Sequence, residues 1–265
     1  MAARDGTVGK ALDVLDRVAA YGRPVRFSEL LAEGRYPKAT LYRLLQVLTS
    51  QGLLSHDPDT GQYGLGMRLV RLAHAAWATA SLAPVARPHV DALAARTGQV
   101  VHLAQLDGGQ VLYVDKVSPR AGVEMFSASG RIGPAYCTGV GKAMLAFLPP
   151  REAEAVLAQQ SFHAFTPATL DAAALGADLE RIRAEGVAWD REEHETGIVC
   201  VAAPILSRGG RVLGAVSVTS ALGRDGLDGL AGHGEDVRRT ARAIGEDAQA
   251  WRFPERAEMR IAERG

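Results

Sequence analysis

The chain has 265 residues, 47% apolar and 23% charged, with 30 basic side chains against 30 acidic ones. This is the composition of an ordinary globular protein with room for one large domain or two unequal ones. It excludes a disordered chain and, because no apolar run exceeds six residues, a bundle of membrane-spanning helices.

Residues 1–10 lack the apolar core of a signal peptide, so a cytoplasmic location is expected. Cys137 and Cys200 are too few for a disulfide scaffold or a structural metal site, and neither a metal nor a cofactor is expected. Residues 1–80 carry ten basic side chains against seven acidic ones, which places any anion-binding surface near the N-terminus.

In chain order, Val8, Ala11, Leu12, Leu15, Val18 and Ala19 recur at helical spacing until Gly22 and Pro24 break the pattern. Residues 27–32 predict a short second helix, capped by Ser28 or its neighbour and stopped at Glu33-Gly34. After Pro37 a third helix gathers Leu41, Leu44, Leu45 and Leu48 on one face. Ala39, Thr40, Tyr42, Arg43 and Gln46 then point elsewhere, and Gly52 ends the helix. Residues 53–56 and 62–65 read as strands around the turn Asp57-Pro58-Asp59-Thr60-Gly61. Three helices followed by a hairpin make a winged helix-turn-helix. On that frame Ser28, Lys38, Ala39, Thr40, Tyr42 and Arg43, with His56 and Thr60 beside Asp57 on the wing, are candidate DNA contacts. Lys, Thr, Tyr and Arg are the types that reach phosphates and base edges from a helix in the major groove. Out of that context a solvated helix face and an ordinary β-turn would account for the same residues.

Residues 67–79 predict a helix that is apolar on more than one side and therefore needs a partner. Ser81-Leu82-Ala83-Pro84 marks a domain junction. A helix then runs to Thr97-Gly98. Strands over 100–106 and 110–117 meet at Asp107-Gly108-Gly109, a hairpin signal. Helices fit residues 138–148, 151–159 and 172–185, strands fit 187–191, 199–203 and 212–219, and a last helix fits 226–251. Strands mixed with helices, hairpins included, predict an α+β domain.

Several motifs bear on chemistry. Gly139-Val140-Gly141-Lys142 lacks the earlier glycine and the following Ser or Thr of a nucleotide loop, since Tyr136 and Ala143 stand there. What remains is a helix start whose Gly139, Val140 and Gly141 amides would hold a small carboxylate, or two glycines needed for tight packing. His194-Glu195 lacks the second histidine of a zinc protease, because Ile198 stands four residues on. Cys200 lies in an apolar strand, the setting of a buried inert thiol. Asp190 and Glu193 precede that strand, and Ser217 and Thr219, two apart, share one face of the next. Together with Cys200 they would line a small polar pocket; placement at the surface satisfies the spacing equally.

The order of these motifs resembles the IclR family of bacterial transcription regulators over about residues 7–248. The likeness rests on four segments: Pro37-Lys38-Ala39-Thr40-Leu41-Tyr42-Arg43-Leu44-Leu45, Thr60-Gly61-Gln62-Tyr63-Gly64-Leu65-Gly66, Gly139-Val140-Gly141-Lys142-Ala143-Met144-Leu145-Ala146, and residues 186–204 followed by Ser217-Val218-Thr219. The resemblance implies a winged helix-turn-helix over 1–66, a linker helix over 67–81, a GAF-like effector-binding domain over 82–252 and a tail over 253–265. It also implies double-stranded operator DNA and a small organic acid as partners, assembly as a homodimer or homotetramer, and no membrane. Some members recognise two- or three-carbon oxo acids through an Asp, a Cys and two hydroxyl residues whose spacing maps onto Asp190, Cys200, Ser217 and Thr219, which points to a glyoxylate- or pyruvate-like acid. The sequence departs from the family where Gly34-Arg35-Tyr36 precedes the third helix and where Pro134-Ala135-Tyr136-Cys137-Thr138-Gly139 stands at the pocket edge. Two rival readings are an enzyme with Cys200 or Cys137 as nucleophile and a winged helix that binds protein instead of DNA.

Overall fold

The computed structural model describes residues 6–119, 125, 127, 129–222 and 226–250. The chain divides into two compact units between Thr79 and Ala80.

The first unit opens with α1 (Thr7–Ala20), β1 (Val25–Arg26), α2 (Phe27–Ala32) and α3 (Lys38–Ser50). It continues with β2 (Leu54–Asp57), β3 (Gln62–Leu65) and α4 (Met67–Ala80). Val14 and Val18 of α1 and Leu41, Leu44, Leu45 and Leu48 of α3 are buried together with Val25, Leu30, Leu54 and Tyr63. The 3.6-residue period of the sequence therefore points inward in both helices. The three strands form an antiparallel sheet in the order β1-β3-β2, of which the two-residue β1 had no sequence signal. The cap of α2 is Arg26, not Ser28: the Glu29 carboxylate, three residues on, accepts the Arg26 amide at 2.8 Å, half of a capping box. Ser28 lies exposed within the first turn. In the wing turn Asp57 accepts the Asp59 amide (2.9 Å) and the Thr60 hydroxyl (2.7 Å), and Gly61 closes it at φ +67°, where a side chain would be strained.

The second unit begins with α5 (Ala83–Thr97), β4 (Val100–Asp107), β5 (Gln110–Val117), β6 (Ile132–Gly133) and α6 (Gly139–Leu145). There follow α7 (Pro150–Leu157), α8 (Ala172–Glu185), β7 (Ala188–Arg191), β8 (Ile198–Leu206), β9 (Val212–Ala221), α9 (Gly226–Ala231) and α10 (Gly234–Asp247). Six strands make one antiparallel sheet in the order β6-β5-β4-β9-β8-β7. Val101, Leu103, Val199, Val201, Val216 and Val218 pack on one face with Val90 and Leu93 of α5 and Val237 and Ile244 of α10. Ala104, Tyr113, Ala202 and Ala215 pack on the other with α6 and with Leu175, Leu179 and Ile182 of α8. The class is α+β, as expected. Gly108 and Gly109 both have positive φ, 59° and 83°, the geometry of the two-residue hairpin that their sequence announces. The last helix is not continuous. It breaks between α9 and α10 at Gly232-His233-Gly234, where two glycines in three residues each weaken helix by about 1 kcal/mol, and α10 gives way to a 3-10 turn at Ala248–Ala250. Trp251 and the expected tail lie outside the described residues. No helix among the described residues is long and apolar enough to cross a membrane.

Candidate functional site

In the first unit, burial of the leucine row of α3 turns Lys38, Ala39, Tyr42 and Arg43 outward, with Thr40 half-buried. The Tyr42 ring stands edge-on to Phe27 at 6.2 Å, and its hydroxyl accepts Gln46 Nε2 at 2.8 Å. Between this face and the wing lies a groove of about 600 Å³, lined by Phe27, Lys38, Ala39, Tyr42, His56, Gly61 and Tyr63. Of the candidates, Lys38, Ala39 and Tyr42 of α3 and His56 of the wing are thus brought to one groove. Thr40 and Arg43 of α3, Thr60, bound to Asp57, and Ser28 do not line it. Arg17 and Arg35 pair with Asp13, Arg17 also with Glu33, and Arg23 with Glu29. Lys38 and Arg43, like Lys10, Arg26, Arg68 and Arg71, form no ion pair among the described residues.

In the second unit, sheet register gathers the polar candidates. Asp190 of β7 stands opposite Cys200 of β8, Cys200 opposite Thr219 of β9, and Ser217 of β9 opposite His102 of β4. They share the sheet face that looks toward α6, and with Tyr113, Thr138, Gly139, Val140, His194, Glu195 and Ile198 they line a cavity of about 30 Å³, which Met125 and Ser127 complete. Gly141 lies behind it. Its amide is bound to the capping Thr138 hydroxyl at 3.3 Å, and a Cβ there would strike the Ala135 backbone. Gly139 is needed for the same reason, since a Cβ would strike the Cys200 sulfur; its amide donates to that sulfur. Packing thus accounts for both glycines, and Gly139 and Val140 also face the cavity.

The cavity is short of charge. Burial drives the His102 imidazole down to about 3, with the Lys116 charge acting in the same sense, so it is neutral. Its Nε2 meets Ser127 Oγ at 2.7 Å and its Nδ1 meets Thr219 Oγ1 at 3.2 Å. Burial pushes Asp190 up to about 7, against the opposing pull of the Glu193 and His194 amides; the Glu193 amide donates at 2.8 Å. Both thiols are raised well above their usual range by burial and then by the Asp190 charge. Neither is the thiolate that a nucleophile requires. The nearby cation, Lys142, is fully buried and donates to Glu193 Oε1 at 2.5 Å and Asp178 Oδ2 at 2.9 Å. Glu193, expected to join the pocket, therefore faces that lysine and does not line it.

Sequence reasoning missed His102, Tyr113, Thr138, His194 and Glu195. The one local sign was His102 itself, a lone polar residue inside an apolar run; its partners Ser127 and Thr219 are 25 and 117 residues away. No group of three His, Cys, Asp or Glu able to hold a metal occurs among the described residues.

Two family models match the chain. Residues 7–58 match the IclR helix-turn-helix domain and residues 74–246 the bacterial transcriptional regulator IclR C-terminal domain. The HTH-type transcriptional regulator XynR of Escherichia coli is 32% identical over 239 residues, covering 90% of this chain and 95% of that protein. The solved IclR of Thermotoga maritima superposes with a TM-score of 0.74 at 28% identity, covering 92% of this chain and 98% of that one. An IclR homologue from Microbacterium hydrocarbonoxydans, solved as a complex with 4-hydroxybenzoate, superposes with a TM-score of 0.76 at 25% identity, covering 91% and 99%. Its relatives are regulators and not enzymes, which closes the cysteine-nucleophile reading along with the raised thiols. Groove, cavity and both matches agree that the chain belongs to the IclR family of bacterial transcriptional regulators, DNA-binding proteins with a C-terminal effector domain.

Proposed function

We propose that α3 and the wing read a double-stranded operator, and that a two- or three-carbon oxo acid, glyoxylate- or pyruvate-like, occupies the polar cavity and changes operator affinity. The observation that carries the effector reading is the row Asp190, Cys200 and Thr219 with Ser217 and His102 around a cavity of about 30 Å³. That volume holds a few heavy atoms, and hydroxyls, a thiol and a carboxyl suit a small acid. The 4-hydroxybenzoate held by the Microbacterium relative supports the class of organic acid. DNA contacts are assigned to Lys38, Ala39, Thr40, Tyr42, Arg43 and His56, with Ser28 and Thr60 reaching flanking phosphates. Residues 1–66, 67–81 and 82–252 serve as DNA-binding domain, linker and effector domain of a cytoplasmic homodimer or homotetramer. Its paired wings meet successive half-sites of a roughly palindromic operator.

A ligand changes DNA binding only by preferring one of two states of the regulator, and a coupling of about 1–3 kcal/mol suffices. The test is an anisotropy titration of the protein with DNA from upstream of its own gene, repeated with glyoxylate, pyruvate and other small acids. Specific binding shifted five-fold or more by one acid supports the reading; specific binding unmoved by all of them removes the effector assignment. Arg43→Ala is expected to weaken operator binding by about 1–3 kcal/mol with an unchanged melting temperature. Unaltered affinity would show that α3 is not the reading helix. Ser217→Leu is expected to abolish the acid response and spare DNA binding, because Ser217 is 2% exposed and faces the cavity; retained response would remove Ser217 from the site.

A further inference from the structure

A second, larger cavity of about 640 Å³ adjoins the first, and His194 and Glu195 line both. Its remaining lining includes Ile132, Gly133, Pro134 and Phe165. Only three large apolar side chains of the second unit are left exposed among the described residues, Ile132, Phe165 and Leu222, and two of them stand here. Apolar surface concentrated in a concavity marks a place of binding more than scattered exposure does.

The wall is aromatic and held in place. The Phe165 ring lies 4.9 Å from His194, 4.9 Å from His163 and 6.5 Å from Tyr136, spacings at which rings attract one another. The Tyr136 hydroxyl donates to the His163 carbonyl at 2.6 Å. Just beyond Phe165, the Thr166 hydroxyl donates to the Glu192 carbonyl and the Thr169 hydroxyl to the Glu193 carbonyl, both at 2.6 Å. The segment that carries Phe165 is therefore tied to the turn that carries His194 and Glu195. A half-exposed phenyl ring held this way is preorganised to receive another flat group at little entropic cost.

Size separates the two cavities. The inner one admits an acid head of a few atoms, whereas the outer one falls within the roughly 300–1,000 Å³ range of small-molecule pockets. We propose that the outer cavity is a second compartment of the effector site, fitted to an aryl group, so that a 2-oxo acid bearing an aromatic side chain spans both. Its acid head lies among Asp190, Cys200, Ser217 and Thr219, and its ring lies on Phe165 and Ile132, past the His194–Glu195 wall. This inference rests on the proposed acid-binding role of the inner cavity.

Isothermal titration of the full-length protein with pyruvate and with phenylpyruvate tests it. Phenylpyruvate is expected to bind about tenfold more tightly or better, the scale of burying one ring face. Phe165→Ala is expected to remove that advantage while pyruvate affinity moves by less than about twofold, and Ile132→Ser, at an exposed edge position, to act in the same direction. A phenylpyruvate affinity no better than that of pyruvate overturns the inference and leaves the acid site standing. Equal weakening of both acids by Phe165→Ala also overturns it. Binding of neither acid removes the effector reading and this inference with it. If the variants instead lower self-association in sedimentation, the cavity is covered by a second copy of the chain and not by ligand.

Discussion

Lys142→Met is expected to destabilise the second unit by about 3–5 kcal/mol in a urea titration, the scale of breaking one partner out of a buried ion pair. The ammonium is fully buried between two carboxylates, Glu193 and Asp178. Asp178 keeps Arg181 when the lysine is lost. Glu193 keeps only a long contact from the Arg191 amide at 3.4 Å on Oε1, and its Oε2 already lacks a hydrogen-bond partner. Burial holds the Glu193 carboxyl above its ordinary value, with Lys142 opposing that rise. Without the lysine the carboxyl rises further and takes up a proton. The loss is therefore expected to be larger at pH 8 than at pH 5, where protonation relieves the orphaned charge. The double variant Lys142→Met, Glu193→Leu is expected to recover much of the loss, since an apolar pair of similar volume replaces a buried ion pair at little net cost. A single-variant loss under about 1 kcal/mol would show that the pair is not a structural requirement.

The second large effect concerns Asp190. An acid bound in the inner cavity brings its carboxylate to a buried carboxyl with no free cation beside it. His102 and Cys200 are neutral there, Tyr113 is held neutral by burial, and burial also lowers His194. The charges that remain nearby are Glu193, which is acidic, Lys142, committed to Glu193 and Asp178, Glu195, also acidic, and Lys116, which donates to the Ser127 carbonyl and lies within reach of the Glu195 charge. Two carboxylates at one site bind together only when they share a proton. On the proposed reading Asp190, at about 7, is protonated below neutrality and would donate a hydrogen bond to the acid. Acid affinity is expected to be flat from pH 5 to 6.5 and to fall about tenfold per pH unit above pH 7. Asp190→Asn, which keeps a donor and cannot ionise, is expected to flatten the profile. Titration calorimetry between pH 5.5 and 8.5 reads both, and an affinity independent of pH in the unsubstituted protein would remove the shared proton. The same group acts on stability. The unfolded chain releases this proton near pH 4 and the native chain near 7, so stability falls as pH rises through that window and levels off above it.

Much of this protein is legible in its sequence because much of it is local. The 3.6-residue rows of α1 and α3, the capping and turn residues around the wing, and Gly108-Gly109 each encode nearby geometry through sterics and burial. The strands of the second unit carry a weaker signal. β8 is buried along most of its length, so both faces are apolar and the alternation that marks a half-exposed strand is erased. The helix expected over 226–251 failed at Gly232 and Gly234, whose effect depends on where α9 and α10 find their packing.

The sequence by itself determined the winged helix-turn-helix and its outward row of Lys38, Tyr42 and Arg43, because a leucine stripe that must be buried leaves the opposite face to solvent. It also determined that Ser217 and Thr219 share a face. Only the tertiary structure decided that Asp190, Cys200 and Thr219 form one row with Ser217 and His102 at its side, that Glu193 turns to Lys142, and that a ring-lined cavity adjoins the polar one. Those placements are set by strand register and by packing between residues far apart in the chain, and no local pattern of side chains encodes them.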